Sequence, residues 1–351
     1  MRRHTRRVTA SRAVGRLAAA AVLFASFGLL QSSANEGSGL PEDSRRPGQG
    51  IPDYRESERR GSWIGTQSRA VNFAETARQW IRPPMLEAVG RHFQTSTITD
   101  RSCTRLGEFQ TQRDWEADLI LVATDQAPLS PARFGGTPSF AVQTVAFGSI
   151  PVEARVSIQQ PRDANGVIVP AKITQRTGLY CPGLGPAPGD AQNNRTHPAQ
   201  LSTAVNVRLE SVVVDGVALS LARGCAAENA QLELTSTAFD NRGVPPQDRP
   251  DHDKMTTPYF SMASGGLLHG TLDVPAFSGC VTSSGDDLSR LLSAAVSGPN
   301  NPILVRNEGL GSSPPDTPEA PLPETCPWTG NCGDRVPQVP IPTTPPPATG
   351  W

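Results

Sequence analysis

The middle of the chain is a succession of short apolar runs that stop at Gly, Pro or Asn. Residues 117–124 read A-D-L-I-L-V-A-T. Further runs follow at 140–147, 152–158 and 166–174, the first two of these separated by Gly148 and Pro151. Runs this short, rich in β-branched residues and bounded by turn formers, are the signature of strands. Beyond residue 200 the pattern alternates. Val205, Val207 and Leu209 are spaced by polar residues, and Val212, Val213 and Val214 continue the run. Asp215-Gly216 supplies the positive φ angles of a tight hairpin turn, and Val217, Leu219 and Leu221 alternate on the return. Leu232 and Leu234 alternate with Glu233 and Thr235, while Leu268, Leu272 and Val274 share one face of 267–274. The expected class is mainly β: a disulfide-stapled β-sandwich, one large unit or two successive ones, with a few short helices.

Two places carry a helical pattern. Phe73, Ala77, Trp80 and Ile81 have helical spacing within 70–81, closed by Pro83-Pro84. A second piece starting at Pro84 would place Leu86, Val89 and Phe93 on one face. This helical lead-in and a first β block occupy 63–199. A second β block spans 200–311 and contains the other helix. There Asp286 is the expected N-cap, Leu288, Leu291, Leu292 and Ala295 form an apolar stripe, and Gly298-Pro299 stops the helix.

The ends have different compositions. Residues 1–34 read as an export signal: Arg2, Arg3, Arg6, Arg7, Arg12 and Arg16 precede an uncharged apolar stretch from 17 to 30, and Ser32-Ser33-Ala34 suits cleavage. That stretch is shorter than the roughly 20 residues a spanning helix needs, so no membrane span is expected after cleavage. Sec export is expected first, with the twin-arginine route as the alternative on the Arg6-Arg7 pair. The chain has 32 basic and 33 acidic residues, so losing six arginines leaves it mildly acidic. A nucleic-acid partner, which calls for basic excess, is not expected. Residues 35–62 are polar and read as a disordered linker. Residues 312–351 form a Pro-rich tail.

Six cysteines in an exported chain imply disulfides. Cys225–Cys280 and Cys103–Cys181 are the expected long pairs, each within one β block. Cys326 and Cys332 form a local pair in the tail.

Catalytic motifs are missing: the sequence holds no G-x-S-x-G, H-E-x-x-H, P-loop or G-x-G-x-x-G. Asp251, His252 and Asp253, with Asp248 nearby, are the candidate metal ligands. Their oxygens and imidazole could hold calcium, although the loop lacks the Gly and final Glu of an EF-hand. No other cofactor is expected, and no catalytic residue can be named. His269, Thr271 and Asp273 form a polar row opposite an apolar strand face. The Asp286-Asp287 pair is explained by a helix start.

The segment from 270 to 301 carries a resemblance. Pro275, Phe277, Gly279 and Cys280 close a strand. Asp287, Leu288 and Leu292 open a short helix, and Ser297, Gly298, Pro299 and Asn301 follow. This resembles secreted proteins of unknown function from high-GC Gram-positive bacteria. The resemblance implies export and a disulfide at Cys280, but no activity or cofactor. The expected function is therefore an exported, non-catalytic protein with an extracellular or cell-envelope binding or structural role and an unknown ligand there. The alternative is a secreted hydrolase with a metal-assisted or carboxylate-based site in the long loops at 180–199 and 241–258.

Overall fold

The computed structural model describes residues 50–52, 62–102, 109–126, 132, 134–146, 150–176, 195–221, 224–240, 259–262, 265–309, 311–312 and 338–342. The first strands are β1 (Ser62–Ala74), β2 (Gln79–Ile81), β3 (Leu86–Ser102), β4 (Phe109–Val122), β5 (Phe140–Ala146) and β6 (Ile150–Gln159). Then come β7 (Ala171–Arg176), β8 (Arg195–Thr196), β9 (Gln200–Val214), β10 (Val217–Leu219), β11 (Ala226–Thr235) and β12 (Phe239–Asp240). The last elements are β13 (Phe260–Ser261), β14 (Gly265–Val274), helix α1 (Ser289–Val296), β15 (Gly298–Glu308) and β16 (Gly311–Ser312). The expected export signal, Cys103, Cys181, Cys326, Cys332, Asp251, His252 and Asp253 lie outside the described residues.

The chain is mainly β, and its principal sheet closes on itself. β1 pairs with β3, β3 with β4, β4 with β7 and β7 with β9. β9 also pairs with β11, β11 with β14, β14 with β15, and β15 returns to β1. Eight antiparallel strands thus form a ring, not two facing sheets. β9 is long enough to serve two neighbourhoods. Its first half lies between β7 and β11, and its second half pairs with β6 on one side and β10 on the other. β5 continues outward from β6. Strands from 63–199 and from 200–311 share this one sheet. The Asp215-Gly216 turn forms as expected, with φ of 50° and 77°.

Alternation along the ring sets inside from outside. On β9, Leu201 and Val205 are buried while Ser202, Arg208 and Glu210 are exposed. On β11, Leu234 is buried and Glu233 is exposed. On these two strands the apolar face therefore points into the ring and the polar face points out. Among the described residues, no helix is long and apolar enough to cross a membrane.

Residues 70–81 correct the helical reading. They form the end of β1, a turn and β2, with Phe73 directly opposite Trp80 and their rings 5.1 Å apart. The spacing that suits one helical face also suits a hairpin that brings those two rings together. Residues 86–93 lie in β3, not in a second helical piece. Gly90 on β3 and Gly270 on β14 show why the ring can coil tightly. A Cβ at Gly90 would stand 1.7 Å from the Asp118 carbonyl oxygen, and one at Gly270 would stand 1.8 Å from that of Glu233. Only glycine permits backbones to approach so closely.

Two short pieces of the segments expected to be disordered pack on the outer wall. Ile51 is 3% exposed and joins Val89, Phe93, Ile120, Val122, Phe134 and Ile168. Its neighbour Gly50 accepts a hydrogen bond from the Ile168 amide at 2.7 Å. Val339, in the Pro-rich tail, is 2% exposed against Val71 and Leu304. Arg82 and Arg306 donate to the carbonyls of Val339 and Gln338. Average composition hides single apolar residues that have backbone partners.

Candidate binding cavity

A ring of eight strands leaves an interior filled by side chains or wide enough for one small ligand. This ring does both, at different heights. At one end Ile64, Ala117 and Trp115 pack with Phe260 and Met262. The His92 ring stacks on Trp115 at 4.7 Å between centroids. Gln175 ties this end together: its side chain donates to the Phe260 carbonyl at 2.8 Å and accepts from the Met262 amide at 3.0 Å. His92 Nε2 and Trp115 Nε1 are buried without a hydrogen-bond partner among the described residues. That burial lowers the His92 pKa, because the charged imidazolium is disfavoured away from water.

Above this packed layer a cavity of about 330 Å³ opens, within the usual range of ligand pockets. β1 faces it with Thr66, Ser68, Ala70, Asn72 and Ala74. Ala88 on β3, Ala154 on β6 and Ala171 on β7 also line it. These small side chains stand where larger ones would fill the interior. The opposite wall is aliphatic: Leu201, Val205, Val207 and Leu209 from β9, Leu232 and Leu234 from β11, and Leu268 and Leu272 from β14. The mouth is framed by Phe140 and Val142 of β5, Ile150 and Val152 of β6, and Val214 and Leu219.

Helix α1 borders the same space with Leu291, Leu292, Ala295 and Val296, and Leu288 just before it joins them. The expected apolar stripe is present, yet none of the helix's residues is buried. The start differs in one detail from expectation. Asp287, not Asp286, accepts from the Ser289 amide, at 2.9 Å. Hydrogen bonds from Ser289 hold the Asp287 carboxyl below its ordinary pKa. Asp286 instead accepts from Ser284 at 2.7 Å, within the preceding turn.

The expected Cys225–Cys280 disulfide is present and anchors this helix to the ring. Cys225 precedes β11, and its carbonyl accepts from the Leu209 amide of β9. Ala226 and Ser278 exchange backbone hydrogen bonds at 3.1 and 2.9 Å. The amides of Phe277 and Cys280 donate to Ser293 and Ser289 of α1.

Among the described residues that line the cavity, none carries an ionisable side chain. Several of the polar ones are engaged by the backbone. Asn301, 1% exposed, accepts from the Glu75 amide at 2.9 Å and donates to the Leu272 and Gly298 carbonyls at 2.9 and 2.7 Å. Gln160 accepts from the Leu121 amide at 2.8 Å and donates to the Leu119 carbonyl at 2.9 Å. Asn72 donates to the Pro302 carbonyl at 3.1 Å, and Thr66 to Asn307 Oδ1 at 2.9 Å. These groups hold strands together and leave a mostly hydrocarbon surface. Such a wall can remove apolar surface from water.

Asp251, His252 and Asp253 lie outside the described residues. His269, Thr271 and Asp273 stay on the face of β14 away from the cavity-lining Leu268 and Leu272. Asp273 accepts from the Asn300 amide, and burial lowers the His269 pKa. Among the described residues no group of His, Cys, Asp or Glu is arranged to hold a metal. No family model, no curated protein and no solved structure matches the chain. The cavity residues were not foreseen. The sequence signal was the alternation of small residues from Thr66 to Ala74, which has too little hydrophobic contrast to announce a strand.

Proposed function

We propose that this is an exported, non-catalytic binding protein that holds one apolar small molecule inside its barrel, outside the cell or in the cell envelope. The observation that carries the reading is the cavity wall, which among the described residues has no ionisable side chain and reaches exposed positions at Ile150 and Leu291. The disulfide is compatible with an oxidising compartment. A hydrolase reading has no comparable support: its loop candidates lie outside the described residues, and His269 stands on the other face of β14.

The test is a titration of the full mature protein with 1-anilinonaphthalene-8-sulfonate, an anionic fluorophore whose rings bind apolar sites, and with a panel of uncharged apolar molecules. Saturable one-to-one binding and a raised melting temperature are expected. Val205→Asp, which places a charge in the wall, should abolish both effects. A panel in which nothing binds saturably would falsify the reading.

A further inference from the structure

One pair of polar side chains on the cavity wall is not spent on holding strands together. Ser68 of β1 and Asn307 of β15 both line the cavity and stand directly opposite each other in the antiparallel register. Side chains opposed in this way have Cβ atoms about 5 Å apart. Asn307 is 8% exposed. Its Oδ1 accepts from Thr66 Oγ1 at 2.9 Å, but its Nδ2 donates to nothing among the described residues. That nitrogen is also not sealed from solvent, so it faces the open space that Asn307 lines. The half-buried Ser68 hydroxyl likewise has no partner among the described residues. On the other flank of Asn307 stands Gly266 of β14, which has no side chain to offer.

The other polar groups of the wall differ. Gln160 and Asn301 use both the oxygen and the nitrogen of their amides. Asn72 commits its nitrogen to the Pro302 carbonyl and keeps only an acceptor. The Thr203 hydroxyl lies 3.3 Å from the Ala204 carbonyl. Ser68 and Asn307 are therefore where an amide N–H and a hydroxyl O–H converge. Ile64, Thr66 and Ser68 alternate onto one face of β1, and Ile64 belongs to the packed layer, so the two donors stand just above it. Buried polar groups are normally hydrogen-bonded, and leaving one unmet is costly. One oxygen atom with two lone pairs can satisfy both. That oxygen has to be uncharged. Among the described residues no cationic side chain lines the cavity, and Arg69 and Arg306, next in sequence, alternate onto the opposite face. A carboxylate would lose hydration that two neutral donors do not replace.

We infer that the mostly apolar occupant carries one uncharged oxygen, of a carbonyl or a hydroxyl, which accepts hydrogen bonds from Asn307 Nδ2 and Ser68 Oγ. This rests on the binding function proposed above and names the chemistry that the same cavity selects.

The experiment uses the full mature protein and probes matched in skeleton: octane, 2-octanone, 2-octanol and octanoate, with cyclooctane and cyclooctanone as a second, compact set. Affinities are read from the rise in melting temperature with ligand concentration. Ser68→Ala should weaken both ketones and the alcohol about fivefold, the share of one hydrogen bond, and leave both hydrocarbons within about twofold. Asn307→Leu should weaken the oxygenated probes at least as much. Thr66 then still donates to the Glu308 carbonyl, at 2.9 Å, so the β1–β15 seam keeps that bond. If Asn307→Leu does not fold, Ser68→Ala, which removes a single oxygen, carries the test alone. Octanoate should bind the unaltered protein more weakly than 2-octanone. Variants that weaken ketone and hydrocarbon alike, variants that weaken neither, or octanoate binding more tightly than the ketone, overturn the oxygen assignment and leave the binding function standing. Failure of all probes, the fluorophore included, removes both.

Discussion

The two ends of the barrel use the same strands in opposite ways. At the packed end the ring is filled by Ile64, Trp115, Phe260 and Met262, and Gln175 bridges carbonyl and amide across it. Beyond that layer β1, β3 and β7 turn small side chains, Thr66, Ser68, Ala70, Ala88 and Ala171, toward the cavity, and α1 borders the space without burying any residue. The first end is arranged for stability and the second leaves apolar surface uncovered. A core that ran from end to end would have been easier to stabilise, since protein interiors are normally close-packed. The uncovered aliphatic wall is what points to a guest.

The contrast can be broken or sharpened by substitution. The largest effect is expected at the disulfide that ties the α1 region to the ring. Replacing Cys225 and Cys280 together with Ser removes a crosslink across 55 residues, worth about 4 kcal/mol in the chain-entropy model. Denaturant unfolding should show that loss, together with weaker dye binding because α1 is no longer anchored. Unchanged dye affinity would mean that the helix does not shape the cavity. Next is Ile64→Ala at the packed end, where a 2% exposed side chain leaves a new void, at about 3 kcal/mol. Gln160→Ala follows, at about 2 kcal/mol, since it strands the Leu121 amide and the Leu119 carbonyl.

The fourth effect depends on pH. Burial lowers the pKa of His92 and of His269, so the unfolded chain takes up protons near pH 6.5 more readily than the folded one. Stability should be flat above about pH 6.5 and should fall as pH drops through and below that value. His92→Gln should shallow the decline in melting temperature without removing it, because His269 remains. A melting temperature that rises on acidification through this window would contradict the assignment. The smallest effect is expected at Leu291→Ala on the rim, below about 1 kcal/mol for a side chain already 45% exposed. A loss there as large as that of Ile64→Ala would erase the distinction between the ends.

Much of the fold was legible because the second half alternates with strong contrast. β9 sets Leu201 and Val205 against Ser202 and Arg208, and Asp215-Gly216 marks its turn. β1 was not legible, for a physical reason. Its inward positions, Thr66 to Ala74, are small or polar to make room, and its outward Val71 and Phe73 are covered by Val339 and Trp80. The usual polarity of a strand is blurred on both faces, and a helical spacing emerged by coincidence. β15 begins at the Gly298-Pro299 that was read only as a helix stop. The cavity itself depends on the closures β1–β15 and β9–β11, and no local window contains both sides of the first. The Cys225–Cys280 pair could be chosen because both cysteines fall within one block.

The β1–β15 seam has a consequence for how the molecule comes into being. Thr66 and Asn307 hydrogen-bond across it, although they are 241 positions apart. A chain synthesised from its N-terminus completes β1 early and reaches β15 near the end. Throughout that interval one edge of β1 has no strand to accept, and an unpaired edge is a template for other chains. Contacts of such sequence separation also slow folding. The segment around Val339, which packs on Val71 and Leu304, is later still, so residues delivered after β15 fasten the join between β1 and β15.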